Sequence, residues 1–319
     1  MKQFFSVHDI PNLKQAVDTA LHYAKNPFAD EEKGKRKTIG LLFFNPSLRT
    51  RMSTQKAAAN LGMNCMVLNT GQDAWTLETR DGIIMNGAAG EHIREAAAVL
   101  GQYCDILGVR SFPGLQNREE DYSEHIFRSI QKYSGRPIIS LETATRHPLQ
   151  SFADLITIEQ FKQNSKPKIV LTWAPHPKAL PQAVPNSFAE WMKRAVNELG
   201  YSFTIACPEG YELSEEFTSG CTITHNQDEA LENADFVYAK NWSSFQDYGK
   251  ILSMDTAWMI TSQKMSLTNN GKFMHCLPVR RNQIVADHVL DSDQSIVIPE
   301  AGNRVYSAQT ILSSMLEAL

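Results

Sequence analysis

The chain has 319 residues, 42% of them hydrophobic and 21% charged, enough apolar matter for two cores at roughly 150 residues per domain. Thirty-one Lys and Arg against thirty-five Asp and Glu leave a formal charge of −4, which argues against a nucleic-acid binder and against a polybasic membrane partner. No apolar run approaches the roughly 18 residues of a membrane span, polar residues follow residues 1–5 where a signal-peptide core would stand, and five scattered cysteines without a C-x-x-C pair predict a reduced, cytoplasmic protein without disulfides or zinc.

Residues 38–44 are nearly continuous in apolar side chains, the pattern of a strand covered on both faces. After the loop 45–50, residues 51–61 are rich in Ala, Met, Lys and Gln and predict a helix. Further strands are expected at 65–68, 106–109 and 138–141, with helices at 92–100 and 124–132 between them. A helix over 152–161 is expected to connect the halves. The second half repeats the alternation, with strands at 169–173, 203–207, 236–238, 273–276 and 296–298. Helices are expected there at 187–199, 227–233 and 309–319. Alternating elements imply right-handed βαβ units. The expected fold is therefore α/β: two doubly wound, mainly parallel-sheet domains, residues 1–150 and 151–319, joined by interdomain helices. Whether the last helix packs back on the first domain stays open. The basic run 33–37 reads as a solvated turn rather than a binding patch, given the balanced charge around it.

Ser47-Leu48-Arg49-Thr50-Arg51 lies where a buried strand hands over to a helix. Ligands of open α/β sheets bind at the carboxyl ends of strands, and helix N-termini there offer free N–H groups to an anion. Two hydroxyls and two arginines in five residues suit phosphate, because guanidinium forks match its oxygens. The bland alternative is Ser47 as a simple cap beside surface arginines. No phosphate-loop or dinucleotide glycine pattern is present. Arg110 stands at another strand end, and His147-Pro148-Leu149-Gln150 sets an imidazole and an amide at a strand-to-helix corner. In the second half His275-Cys276-Leu277-Pro278 follows an apolar strand. Nothing in the sequence marks Cys276 as activated. Pro299-Glu300-Ala301-Gly302-Asn303-Arg304 is read as ending the last strand and opening the final helix. No histidine array with metal-ligand spacing is present, so no metal is expected.

In order and spacing, Ser47-Leu48-Arg49-Thr50-Arg51, His147-Pro148-x-Gln150 and His275-Cys276-Leu277-Pro278 together resemble the carbamoyltransferases, over essentially the whole chain. That resemblance implies a carbamoyl-phosphate domain followed by an amino-acid domain, no cofactor, and a homotrimer with shared sites. It implies that Ser47, Leu48, Arg49, Thr50, Arg110, His147, Pro148, Leu149, Gln150, Cys276, Leu277 and Arg304 line the carbamoyl phosphate site. His147, Arg304 and Cys276 would act on the reacting group, and Trp75 would reach the phosphate from the adjacent subunit. The chain lacks the Ser-Met-Gly loop of ornithine enzymes, and it has Cys276 where aspartate enzymes carry proline. Residues 171–177 and the pair Arg280-Arg281 resemble the branch acting on Nα-acylated ornithine, in which Glu142, His176, Lys240 and Arg280 match the acylated amino acid's positions. Gly90 stands where acetylornithine members carry glutamate and succinylornithine members proline. A glycine adds neither bulk nor charge against a succinyl carboxylate, so the expected acceptor is N-succinylornithine, with N-acetylornithine as the alternative. A phosphate-binding protein of the same fold without turnover is the non-enzymatic alternative.

Overall fold

In the computed structural model, which describes all 319 residues, Thr38–Phe43 is buried from its second residue to its last. Ile106–Arg110, Ile138–Glu142 and Phe236–Lys240 are buried throughout. Such strands have apolar side chains on both faces because helices cover both sides of a parallel sheet.

The chain divides into two units, the first made of Met1–Ile10, Thr19–Leu149 and Arg304–Leu319, the second of Pro11–Asp18 and Gln150–Asn303. The elements up to residue 142 run β1 (Gln3–Phe4), α1 (Leu13–Lys25), β2 (Thr38–Phe43), α2 (Arg49–Asn60), β3 (Asn64–Asn69), β4 (Leu77–Glu78), β5 (Glu91–His92), α3 (Ile93–Tyr103), β6 (Ile106–Arg110), α4 (Arg118–Tyr122), α5 (His125–Ser134) and β7 (Ile138–Glu142). Then come α6 (Pro148–Phe161), β8 (Lys168–Trp173), α7 (Ala183–Leu199), β9 (Ser202–Ala206), α8 (Glu215–Thr218), β10 (Thr222–Thr224), α9 (Gln227–Leu231), β11 (Phe236–Lys240), α10 (Ser262–Met265), β12 (Lys272–Met274), α11 (Asp287–Leu290) and α12 (Val297–Leu316).

The first unit holds a sheet of order β1-β7-β6-β2-β3 and the second one of order β10-β9-β8-β11-β12. Every pairing in both is parallel, as the α/β alternation requires. Leu42, Ile93, Leu107, Val109, Phe127 and Ile138 pack as a core in the first unit. Val170, Leu231, Val237, Phe273 and Val285 do so in the second. Each such side chain contributes about 1.5–3 kcal/mol by leaving water. Gly101 on α3 lets that helix approach the end of α5, since a Cβ there would lie 2.1 Å from the Ser134 carbonyl oxygen.

The expected strand at 296–298 is not formed. The backbone around Ser295 touches β12 through bonds from Phe273 to Gln294 and from Ile296 back to Phe273, and the chain then enters α12 at Val297. A three-residue apolar run does not distinguish a strand end from a helix start, and Pro299 is tolerated in a first helical turn. The stretch 299–304 therefore lies inside α12, a 20-residue helix that begins twelve residues before the expected one. Likewise α6 starts at Pro148, where proline suits the first helical position. Helix α1, the short α4 and α8, and the β4–β5 pair carry no sequence expectation.

The C-terminal part of α12 is tied within the first unit: Asn60 donates to Gln309 at 2.9 Å and Tyr23 to Ser313 at 2.9 Å. The basic run at 33–37 is locally paired, Lys33 with Glu317 at 2.7 Å, Lys35 with Glu32 at 2.7 Å and Lys37 with Asp105 at 3.3 Å. No helix is long and apolar enough to cross a membrane.

Candidate functional site

In the first unit, β6 pairs Arg110 with Phe43 of β2 on one side and with Glu142 of β7 on the other. The register thus lines up three strand ends, and the side chains meet there. Arg110 Nη2 lies 3.1 Å from Glu142 Oε2, and His147 Nε2 lies 3.5 Å from the same oxygen. Arg304 Nη2 donates to Thr50 Oγ1 and sits 3.5 Å from His147 Nε2. Arg110 also stacks over Phe112, 4.4 Å from the ring centre.

Helix α2 opens onto the same strand ends. Its first turn is preceded by Leu48 in helical conformation with no side-chain cap, so Ser47 is not the cap that the bland reading made it. An uncapped helix start leaves N–H donors and a partial positive charge available. The Nε atoms of Arg49 and Arg110 are buried and hydrogen-bond to nothing in the protein. Burial pushes the Arg110 guanidinium below its usual range, Glu142 pulls it back up and Arg49 adds to the depression. Arg110 beside a carboxylate it shares with His147, with the charge of Arg49 near it and buried Nε–H donors on both arginines, is an arrangement suited to an anion such as phosphate.

Trp75 is 61% exposed and donates from Nε1 to Glu91 Oε2 at 3.0 Å. Its indole lies on Gly90, where an added Cβ would come within 2.9 Å of Trp75 Cγ. Glycine at 90 therefore lets the indole lie this close, a reason separate from bulk or charge toward an acyl group.

In the second unit, Lys240 ends β11, and His176 and Cys276 follow β8 and β12. Arg280 Nε donates to His176 Nε2 at 3.0 Å. The neutral ring must then carry its proton on Nδ1, 2.9 Å from the Lys178 carbonyl oxygen. Burial depresses the His176 pKa, the Lys178 carbonyl acts against it, and the charges of Lys240 and Arg280 add to the depression. Lys240 and Arg280 thus flank an uncharged imidazole, an arrangement suited to an acceptor with carboxylates.

Burial raises the Cys276 thiol to about 11, with Lys240 acting against it, so Cys276 is not an activated nucleophile. Leu277 holds φ at 55°, the left-handed region that a leucine seldom occupies, and donates its N–H to His275 Nδ1 at 2.8 Å. Gln150 Nε2 donates to Asp154 Oδ1 at 2.8 Å and lies 3.5 Å from Glu300, whose other oxygen accepts from the His275 N–H at 2.9 Å. Asp154 and Glu300 are fully buried acids that sequence reasoning passed over. The only signal for Asp154 was its position one helical turn beyond Gln150. Leu149 is a core residue; its carbonyl accepts from Ser307 Oγ at 2.9 Å. No group of three or more His, Cys, Asp or Glu is arranged to hold a metal.

Residues 2–160 match the family model described as aspartate/ornithine carbamoyltransferase, carbamoyl-P binding domain, and residues 184–315 match its Asp/Orn binding domain. An N-succinylornithine carbamoyltransferase of Bacteroides thetaiotaomicron is 55% identical over all of both chains. An N-acetylornithine carbamoyltransferase of Xanthomonas campestris is 36% identical over 99% of this chain and 98% of its own. Among solved structures, acetylornithine transcarbamylase complexed with acetylcitrulline superposes with a TM-score of 0.90 at 36% identity, covering 99% of each chain.

Proposed function

This chain belongs to the aspartate/ornithine carbamoyltransferase family, and we propose that it moves the carbamoyl group of carbamoyl phosphate to the δ-amine of N2-succinyl-L-ornithine. The products are N2-succinyl-L-citrulline and phosphate, a step of arginine biosynthesis. The observation that carries the reading is the anion receptor of the first unit, where Arg49 and Arg110 keep buried N–H donors without protein partners beside an uncapped helix start. The acceptor is supported by the 55% identity to the Bacteroides enzyme over both full chains.

Carbamoyl phosphate is a mixed anhydride, so no covalent intermediate on the protein is required. Arg49, Thr50 and Arg110, with the backbone of Ser47 and Leu48, neutralise the phosphate and stabilise it as it leaves. His147 and Arg304 polarise the carbamoyl oxygen. The neutral amine attacks the carbonyl carbon, the C–O bond to phosphate breaks, and the departing phosphate takes the amine's proton. Positioning supplies much of the acceleration. Lys240 and Arg280 hold the acceptor's carboxylates, with His176 beside them.

A colorimetric ureido assay with succinylornithine, acetylornithine and ornithine tests this reading. Succinylornithine is expected to be the preferred acceptor at saturating carbamoyl phosphate; preference for either other amine overturns the acceptor assignment. The exposure of Trp75 supports a homotrimer in which its indole reaches a neighbouring site. Mixing inactive Trp75→Ala and Arg49→Ala chains should restore part of the activity, and no recovery in demonstrably mixed oligomers would refute sharing. Five unpaired cysteines support a reducing, cytoplasmic location.

A further inference from the structure

Glu124 precedes α5 with φ at 54° and is 4% exposed. A carboxylate in that position ordinarily accepts from the first N–H groups of its own helix. This one makes no such cap. Its oxygens turn instead to three consecutive residues of the loop after β7. Oε1 accepts from Thr143 Oγ1 at 2.9 Å, from the Thr145 N–H at 2.8 Å and from Thr145 Oγ1 at 2.5 Å, and Oε2 accepts from the Ala144 N–H at 3.3 Å. The Thr143 N–H bonds the Arg146 carbonyl at 2.8 Å and closes the turn.

The two ends of that turn are Glu142, against Arg110 and His147, and His147 itself, against Arg304. A left-handed glutamate is strained and persists only where its surroundings over-determine it. A buried carboxylate is a costly way to hold a turn, because burial works against its charge while the four hydrogen bonds support it. What the charge provides is a rigid acceptor that several donors can share at once.

We propose that Glu124 is a positioning residue for carbamoyl phosphate, clamping residues 143–145 so that Glu142 and His147 stand at fixed distances from Arg110 and Arg304. The proposal rests on the first-unit cluster being the carbamoyl phosphate site. Glu124→Gln keeps the shape but directs an amide N–H toward groups that are themselves donors, so the clamp loosens.

The test is carbamoyl phosphate binding by calorimetry, together with kcat and KM for both substrates and Tm, for wild type, Glu124→Gln, His147→Asn and the double variant. Glu124→Gln is expected to lower kcat/KM for carbamoyl phosphate about 10–100-fold at a temperature well below its Tm. In the His147→Asn background the further loss should be smaller, because part of the clamp's effect passes through His147. An equal loss in both backgrounds, or no loss, overturns the proposal. If Glu124→Gln does not fold, Thr145→Val, which deletes one donor to Oε1, takes its place; a smaller loss in the same direction is expected, and an unchanged affinity overturns the clamp. Wild-type protein that fails to bind carbamoyl phosphate refutes the site itself, whereas binding equal in wild type and variant refutes only the clamp.

Discussion

Arg110 at a strand end of the first unit and Arg281 after β12 in the second meet carboxylates in opposite ways. Arg281 is half exposed and ion-paired through both terminal nitrogens, with Nη1 at 2.9 Å from Asp287 and Nη2 at 2.6 Å from Asp291. Those two acids raise its guanidinium pKa. Arg110 is buried, shares one carboxylate with His147, and keeps an Nε–H that no protein atom accepts. The lesson is that a guanidinium points to a ligand site where the donors it lacks acceptors for are buried, since an exposed one is satisfied by water. Saturated arginines hold the protein together, and unsaturated buried ones wait for an anion.

The largest expected effect breaks the unsaturated side. Arg110→Leu should lower kcat/KM for carbamoyl phosphate by at least about 10³-fold in steady-state assays, while circular dichroism remains that of a folded protein. Tm should fall as well, because the buried Arg110–Glu142 ion pair is broken. Near-wild-type activity at limiting carbamoyl phosphate would mean that the cluster binds something else.

A smaller effect is expected at Gly90. Gly90→Ala places a Cβ against the Trp75 indole and should raise the KM for carbamoyl phosphate about tenfold with the ratio of succinylornithine to acetylornithine rates unchanged. Gly90→Glu should also shift that ratio toward acetylornithine, since charge repels a succinyl carboxylate. If Ala and Glu act alike on the ratio, position 90 works only through the indole.

The second unit adds a pH effect. His176 stays neutral below the ordinary histidine value near 6.5. As pH falls from there toward its depressed folded pKa, the unfolded chain takes up the proton first, so stability declines across that window. Once protonated, its Nε2–H faces the Arg280 N–H, and the acceptor's KM should rise at acid pH. His176→Gln should flatten that rise in a KM-against-pH profile, and an unaltered profile would assign the titration elsewhere. The smallest effect belongs to the saturated side: Arg281→Ala should leave turnover within about two-fold, as exposed ion pairs contribute little.

The buried strands were legible in the sequence because parallel strands covered on both faces read as unbroken apolar runs, as 38–44 and 138–141 do. The run at 296–298 has the same composition, yet the two hydrogen bonds that tie the chain to β12, at Gln294 and Ile296, come just before a helix start, which no three-residue pattern reveals. In the site, Arg49, Arg110 and His147 could be singled out because they sit at strand ends. Arg280 and Arg281 are neighbours of identical type, and only the packing of His176 against one and of Asp287 and Asp291 against the other separates them. Glu124 and Glu300 were invisible for a related reason: their partners lie about twenty or more residues away, and a buried acid has no local pattern.

Calorimetric titration of carbamoyl phosphate into wild type, Arg110→Leu and Arg281→Ala, at one salt concentration and without acceptor, tests most directly whether unsaturated donors define the site. Wild type and Arg281→Ala are expected to bind with the same affinity, while Arg110→Leu shows no measurable heat. Full affinity in Arg110→Leu, or its loss in Arg281→Ala, would contradict the account.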